Sequence, residues 1–174
     1  MGSHIRKKQQ TNICILFQNV GGMIPAMDGD LKLTVLCHFT QQSQIDVFGF
    51  AEHNICWDLI PKQQQLAERT CGWWENAHWA TSFNKREKYP IAHQPGGSGI
   101  GVFNDLSHRA LQPGSNQTGL GQWSWVRLRG QSGHILRIVL AYQPCYLSGS
   151  LSMYQQQVHY LATINCTDSP KKGS

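Results

Sequence analysis

Charge is scarce in this 174-residue chain, paired cysteines are missing, and no apolar run approaches the length needed to cross a bilayer. Charged residues make up 14% against 40% hydrophobic, a balance that excludes a solvated disordered tail and leaves much apolar surface for a core or a partner to cover. The six cysteines (Cys14, Cys37, Cys56, Cys71, Cys145, Cys166) are scattered and form no Cys-x-x-Cys pair, so they read as reduced thiols rather than a zinc or disulfide framework. His53 with Cys56 is the nearest approach to a metal knuckle, and it has no second pair to complete it. No signal peptide precedes the first apolar run; the expectation is a soluble intracellular protein, nuclear or cytoplasmic, with no membrane partner. The sequons at Asn116 and Asn165 carry no weight on that reading. Internal repeats and low-complexity tracts are also missing.

What is present fits one core. Fifteen Lys and Arg against ten Asp and Glu give a net charge of +5, compatible with a polyanion such as nucleic acid, although a modest basic excess is common. The expected organisation is a basic tail at 1–10, a domain at 11–168 and a short tail at 169–174. The run from Asn12 to Val20 reads as a strand covered on both faces, ended by Gly21-Gly22. From about Asp30 to Gln42, Leu31, Val35, Leu36 and Phe39 fall on one face at helical spacing, with Asp28 and Asp30 near the favourable N-terminal end. A second buried strand, Ile45 to Ala51, completes a βαβ-like unit and favours an α/β layered domain.

A polar stretch, Lys62 to Gln65, reads as a short surface helix. Beyond it the pattern changes to short strands, Trp79 to Phe83, Gly99 to Phe103, Trp123 to Arg129 and Ile135 to Tyr142, the last two a hairpin. Leu151, Tyr154, Val158 and Leu161 then predict a closing helix, broken at Asp168-Ser169-Pro170.

Three segments put polar groups where a buried strand meets a loop, the place where α/β sheets build sites: Gln18-Asn19, Ala51-Glu52-His53-Asn54 and Ala141-Tyr142-Gln143-Pro144. Taken singly, a Glu or Asn at a strand end is usually a solvated or turn-capping residue and a Tyr is usually packing. Their order and spacing reverse that preference. Ile15-Leu16-Phe17-Gln18-Asn19-Val20-Gly21-Gly22 resembles the opening strand of the exonuclease-endonuclease-phosphatase superfamily, most like its retrotransposon endonucleases. Ile45 to Glu52 resembles the second strand of that family, Gly97-Ser98-Gly99-Ile100-Gly101-Val102 its glycine-bearing strand, and Ile138 to Pro144 the strand that delivers Tyr-x-Pro. The resemblance covers nearly the whole chain and corresponds to the N-terminal half of the family's domain.

The resemblance implies Mg²⁺-dependent (or Mn²⁺-dependent) hydrolysis of a phosphodiester, with DNA as the partner. Glu52 would be the metal ligand, Asn19 would position the metal or a phosphate oxygen, and Tyr142 would hydrogen-bond a phosphate or a neighbouring catalytic group. A hard cation needs oxygen ligands and is commonly held by only one or two carboxylates, so one Glu is chemically sufficient as a start. The family's second half supplies an Asp-x-Asn pair, a further Asp and a terminal Asp-His. None of the aspartates Asp28, Asp30, Asp46, Asp58, Asp105 and Asp168 begins an Asp-x-Asn, and Asp105 with His108 reads as loop rather than an Asp-His pair. The chain is therefore expected to be inactive alone. A catalytically dead nucleic-acid-binding or interaction remnant, and a phosphatase of the inositol phosphate or sphingolipid type, are the alternative readings.

Other features count for less. Gly96 to Gly101 fits neither a dinucleotide fingerprint nor a phosphate-cradling loop. Trp73, Trp74, Trp79, Trp123 and Trp125 are more often packing than base-stacking residues, and Lys85, Arg86 and Lys88 beside Tyr89 read as a solvated loop. The resemblance also sets the expected architecture, half of a four-layer α/β sandwich with one mixed sheet and flanking helices. One face of that sheet is then expected to be apolar and uncovered, leading to self-association or aggregation.

Overall fold

The computed structural model of the chain describes residues 12–23, 31–83, 85, 96–116 and 119–143. The chain divides into two compact units, Met1–Tyr142 and Gln143–Ser174, and apart from Gln143 the described residues belong to the first. The expected closing helix and the Asp28 and Asp30 positions lie outside the described residues.

The fold is mixed α/β. Strands β1 (Ile15–Asn19), β2 (Val47–Ala51), β3 (His78–Ser82) and β4 (Ser98–Val102) form a four-stranded sheet in the order β1-β2-β4-β3. β1 and β2 run parallel, in the register Ile15 with Val47 and Asn19 with Ala51, while β4 is antiparallel to both of its neighbours. Between β1 and β2 lies helix α1 (Leu31–Gln42), as a parallel pair requires. A shorter helix, α2 (Leu66–Thr70), follows a 3₁₀ turn at Lys62–Gln64. Helix α3 (Asn104–Ser107) holds Asp105 in its first turn, where the sequence suggested only a loop.

A finding beyond the sequence reading is a second sheet. β5 (Gly114–Ser115), β6 (Trp123–Arg129) and β7 (Ile135–Ala141) form an antiparallel sheet of their own, with β6 in the middle. The expected hairpin is there, with Trp123 opposite Ala141 and Arg129 opposite Ile135. It packs on the first sheet instead of widening it. Along β6 the residues Ser124, Val126 and Leu128 are buried while Trp123, Trp125 and Arg127 are half-buried, the period of two expected of a sheet with one covered face.

The four-stranded sheet thus has a core on each face. On one face Leu33, Leu36 and Cys37 of α1 join Phe48, Phe50, Ile55, Trp57, Trp74 and Phe103. On the other, Val47, Ala80, Ile100 and Val102 meet Val126, Leu128 and Leu140 of the second sheet. The central strands β2 and β4 are buried throughout. Gly99 and Gly101 of β4 leave room for rings: a methyl group there would overlap Phe50 at the first and Trp79 at the second. Trp74 stacks on Phe103 at 4.0 Å between centroids, extending the same aromatic floor.

Three expectations about burial are corrected. Among the described residues β1 is an edge strand, not one covered on both faces, and its Ile15 and Phe17 are 58% and 54% exposed. In α1 the buried stripe is Leu33, Leu36, Cys37 and Thr40, whereas Leu31, Val35 and Phe39 are exposed and only Leu36 was placed correctly. Both sets repeat at three and four residues, so periodicity alone does not choose between them. Thr40 can be buried because its hydroxyl donates to the carbonyls of Leu36 and Cys37, both at 2.8 Å. The uncovered apolar face expected of the sheet is covered by the second sheet, and what stays open is a crevice along the β1 edge.

Candidate active site

The three candidate residues lie at one end of the two sheets, but not on one sheet. β1 ends at Asn19 and β2 ends at Ala51, paired side by side, so Asn19 and Glu52 leave adjacent parallel strands at the same rim. Tyr142 follows β7 of the other sheet. Its hydroxyl crosses the gap and donates to Glu52 Oε1 at 3.0 Å. Asn19 Oδ1 accepts the Gly21 N–H at 2.9 Å, which shapes the turn after β1 and keeps the side chain at the rim.

Glu52 is held by its backbone. It has φ of 58°, and Asn54 has 59°, in the left-handed region that non-glycine residues rarely enter. Such strain persists only where the surroundings over-determine it, and it concentrates at functional sites. Here three loops share the work. The Glu52 N–H donates to the Gly97 carbonyl at 2.9 Å, the Gly22 N–H donates to the Glu52 carbonyl at 2.6 Å, and the Met23 N–H donates to the His53 carbonyl at 2.9 Å. Asn54 closes the ring: its N–H donates to the Gly96 carbonyl at 2.8 Å while its Oδ1 accepts the Gly96 N–H at 2.7 Å.

His53 is the residue whose role the sequence reading missed. Its ring is fully buried, Nδ1 accepts the Ile55 N–H at 3.0 Å, and Nε2 lies 3.0 Å from the Ser82 carbonyl. A backbone N–H can only donate, so Nδ1 must be the acceptor and Nε2 carries the proton given to Ser82. Both nitrogens are committed, which rules out the His53 and Cys56 knuckle. Among the described residues no group of three or more His, Cys, Asp and Glu is placed to hold a metal. Burial pushes the His53 imidazole down to about 4 from its ordinary 6.5.

That shift sets an acid sensitivity. The unfolded chain takes up a proton on His53 as pH falls through about 6.5, while the folded chain resists until about 4. The stability His53 contributes is complete above pH 6.5 and falls across that window by about 3 kcal/mol. Urea unfolding at pH 7 and pH 4.5 should show the loss, and His53→Gln should show a shallower pH slope from a lower starting stability. An unchanged slope in the variant would remove His53 as the cause.

Lys32, in the first turn of α1, was also not singled out. Its ammonium donates to the carbonyls of Val20 and Gly22, both at 2.7 Å, tying the helix to the turn that carries Asn19. The core between the sheets changes character toward this rim, from Val47, Val102, Val126 and Leu128 to Ser82, Ser98, Ser124 and Gln122, all buried. Among the described residues, the hydroxyls of Ser98 and Ser124 and both amide atoms of Gln122 have no hydrogen-bond partner. Ser98 pairs with Ala51, and the Gln122 carbonyl accepts the Tyr142 N–H at 2.7 Å, so this spare polar capacity lies directly behind Glu52 and Tyr142. The Glu52 carboxylate and the Asn19 amide oxygen, both of the oxygen type that a hard divalent cation prefers, leave adjacent strands at this rim.

No family model and no curated protein sequence matches the chain. Solved structures do match its fold. An AP endonuclease from Archaeoglobus fulgidus superposes with a TM-score of 0.51 at 11% identity, over 88% of this chain and 49% of that one. An AP endonuclease from Leishmania major gives 0.54 at 12% identity, over 88% of this chain and 45% of that one. The chain spans about half the length of each, and identity this low carries the fold and nothing finer. The chain shares its fold with these AP endonucleases over about half of their length.

Proposed function

We propose that the chain is the metal-binding half of a phosphodiesterase that cleaves DNA with Mg²⁺ or Mn²⁺, of the retroelement endonuclease type, and that it has no turnover by itself. The observation that carries this reading is the Tyr142 hydroxyl on Glu52 Oε1, at a rim where Glu52 is held in a strained backbone conformation beside Asn19. The fold shared with AP endonucleases supports it, and the retroelement assignment rests on the resemblance of the strand-end motifs.

Glu52 and Asn19 would hold the ion, which when bound stabilises the charge developing on the phosphate and the leaving oxygen. The protein's own groups do the rest. Tyr142 fixes one carboxylate oxygen of Glu52. The interlocked backbones of Gly22, Glu52 and Gly97 keep the carboxylate where it is, so little reorganisation is needed when a phosphate arrives. The chain lacks the Asp-x-Asn and Asp-His residues that would supply a general base, so hydrolysis requires groups from outside it.

The test is a plasmid assay. With supercoiled DNA and Mg²⁺, the chain should bind in a manner weakened by salt and should leave the plasmid intact. Nicking that disappears in Glu52→Ala would overturn the half-site reading in favour of a self-sufficient enzyme. Failure to bind DNA even at low salt would overturn DNA as the substrate.

A further inference from the structure

Among the described residues, one long side of the two-sheet sandwich is open. There β1 ends the four-stranded sheet and β7 ends the three-stranded one, and among the described residues neither has a second neighbour. Between them runs a crevice of about 310 Å³ whose walls are Ile15 and Phe17 on one side and Ile138 and Leu140 on the other, with Gly49 and Ile100 at its floor. Its rim carries further exposed apolar side chains, Leu136 and Val139 of β7. Two unpaired strand edges flanking an apolar slot form a surface that proteins usually cover.

The geometry restricts the occupant. It must offer two strand edges in two layers about 10 Å apart, with apolar side chains between them. Both edges run toward the same rim, since β1 ends at Asn19 and β7 ends beside Tyr142, which bonds to Glu52. A second copy of this chain meets every requirement. A two-fold axis along the strands, through the crevice, exchanges the two layers, so β1 of each copy lies parallel to β7 of the other. The contact is self-complementary and closed, with no edge left over on that side.

We infer that the chain forms a two-fold dimer in which β1 of each copy pairs with β7 of its partner. Both Glu52–Tyr142 pairs then open on one shared rim, and each sheet continues across the interface. A two-fold axis perpendicular to the sheets would instead set β1 against β1 and put the two rims at opposite ends. The inference concerns the crevice and stands whether or not the rim hydrolyses DNA.

Sedimentation of the full chain over a concentration series should give a mass twice that of the chain. Amide hydrogen exchange on the wild-type protein should slow with concentration in both β1 and β7, and stay constant in β3. Phe17→Asp should weaken the dimer by about 100-fold or more, since the symmetry repeats the loss in each copy. Val35→Asp, on the exposed face of α1, should leave the association unchanged. A monomer at every concentration would overturn the inference, as would a series of larger aggregates. Protection confined to β1 would overturn the proposed pairing, and because exchange is read on unaltered protein, that result does not depend on whether Phe17→Asp folds.

Discussion

Gly97→Ala should destabilise the protein by about 2–5 kcal/mol, a large share of the roughly 5–15 kcal/mol that holds a domain of this size together. Two costs add. Gly97 has φ of 92°, where a side chain costs about 1–2 kcal/mol. The new methyl group would also overlap the His53 ring, and overpacking a fixed core costs about 1–3 kcal/mol. The ring cannot step aside, because Ile55 holds Nδ1 and Ser82 holds Nε2. Shifting the backbone is no easier, as the Gly97 carbonyl receives the Glu52 N–H. Gly133 offers the control: its φ is 77°, and an added methyl there meets nothing within 4 Å. Gly133→Ala should cost only the backbone share. Urea unfolding of the two variants separates the terms, and equal losses would sink the argument that His53 fills the space Gly97 leaves.

This pair of residues also shows where the sequence was legible. The strand ends were readable because they are local: an apolar run followed by a polar residue marks where β1 stops at Asn19 and where β2 stops before Glu52, without knowledge of their neighbours. The hairpin was readable for the same reason, since the alternation of Trp123 to Arg129 and the apolar run of Ile135 to Ala141 are visible in the chain. Which surface that hairpin covers was not readable, because the contact of Val126 and Leu128 with Ile100 and Val102 joins segments far apart in sequence and could not be chosen by pattern. Nor was His53. A histidine beside a candidate ligand invites a chemical role, and only the backbone partners on both nitrogens reveal it as a packing residue that braces the loop. The glycine-bearing strand drew attention in the sequence, but its cause, the rings of Phe50, Trp79 and His53 lying against bare backbone, is a matter of tertiary contact. For α1 the polar Thr40 hid the buried face, and the apolar Leu31, Val35 and Phe39 advertised the wrong one.

Glu52→Gln should leave the fold intact and weaken Mn²⁺ binding by about 100-fold, the scale expected when an essential ligand or its immediate support is lost. Glutamine keeps the length of the side chain and a carbonyl oxygen able to accept from Tyr142, so the bridge between the sheets can survive while the charge is removed. The backbone is fixed by Gly22 and Gly97 independently of the side chain, so the strained conformation does not change. Stability should shift by less than about 1 kcal/mol. Tyr142→Phe separates holding the carboxylate from binding the ion: it removes the hydroxyl, frees Oε1 to rotate, and should weaken Mn²⁺ by about 10-fold. Titration of free Mn²⁺ by electron paramagnetic resonance reads all three proteins without requiring turnover. If the glutamine variant bound Mn²⁺ as tightly as the wild type, the carboxylate at this rim would have no part in holding an ion, and its bond to Tyr142 would be a brace between two sheets.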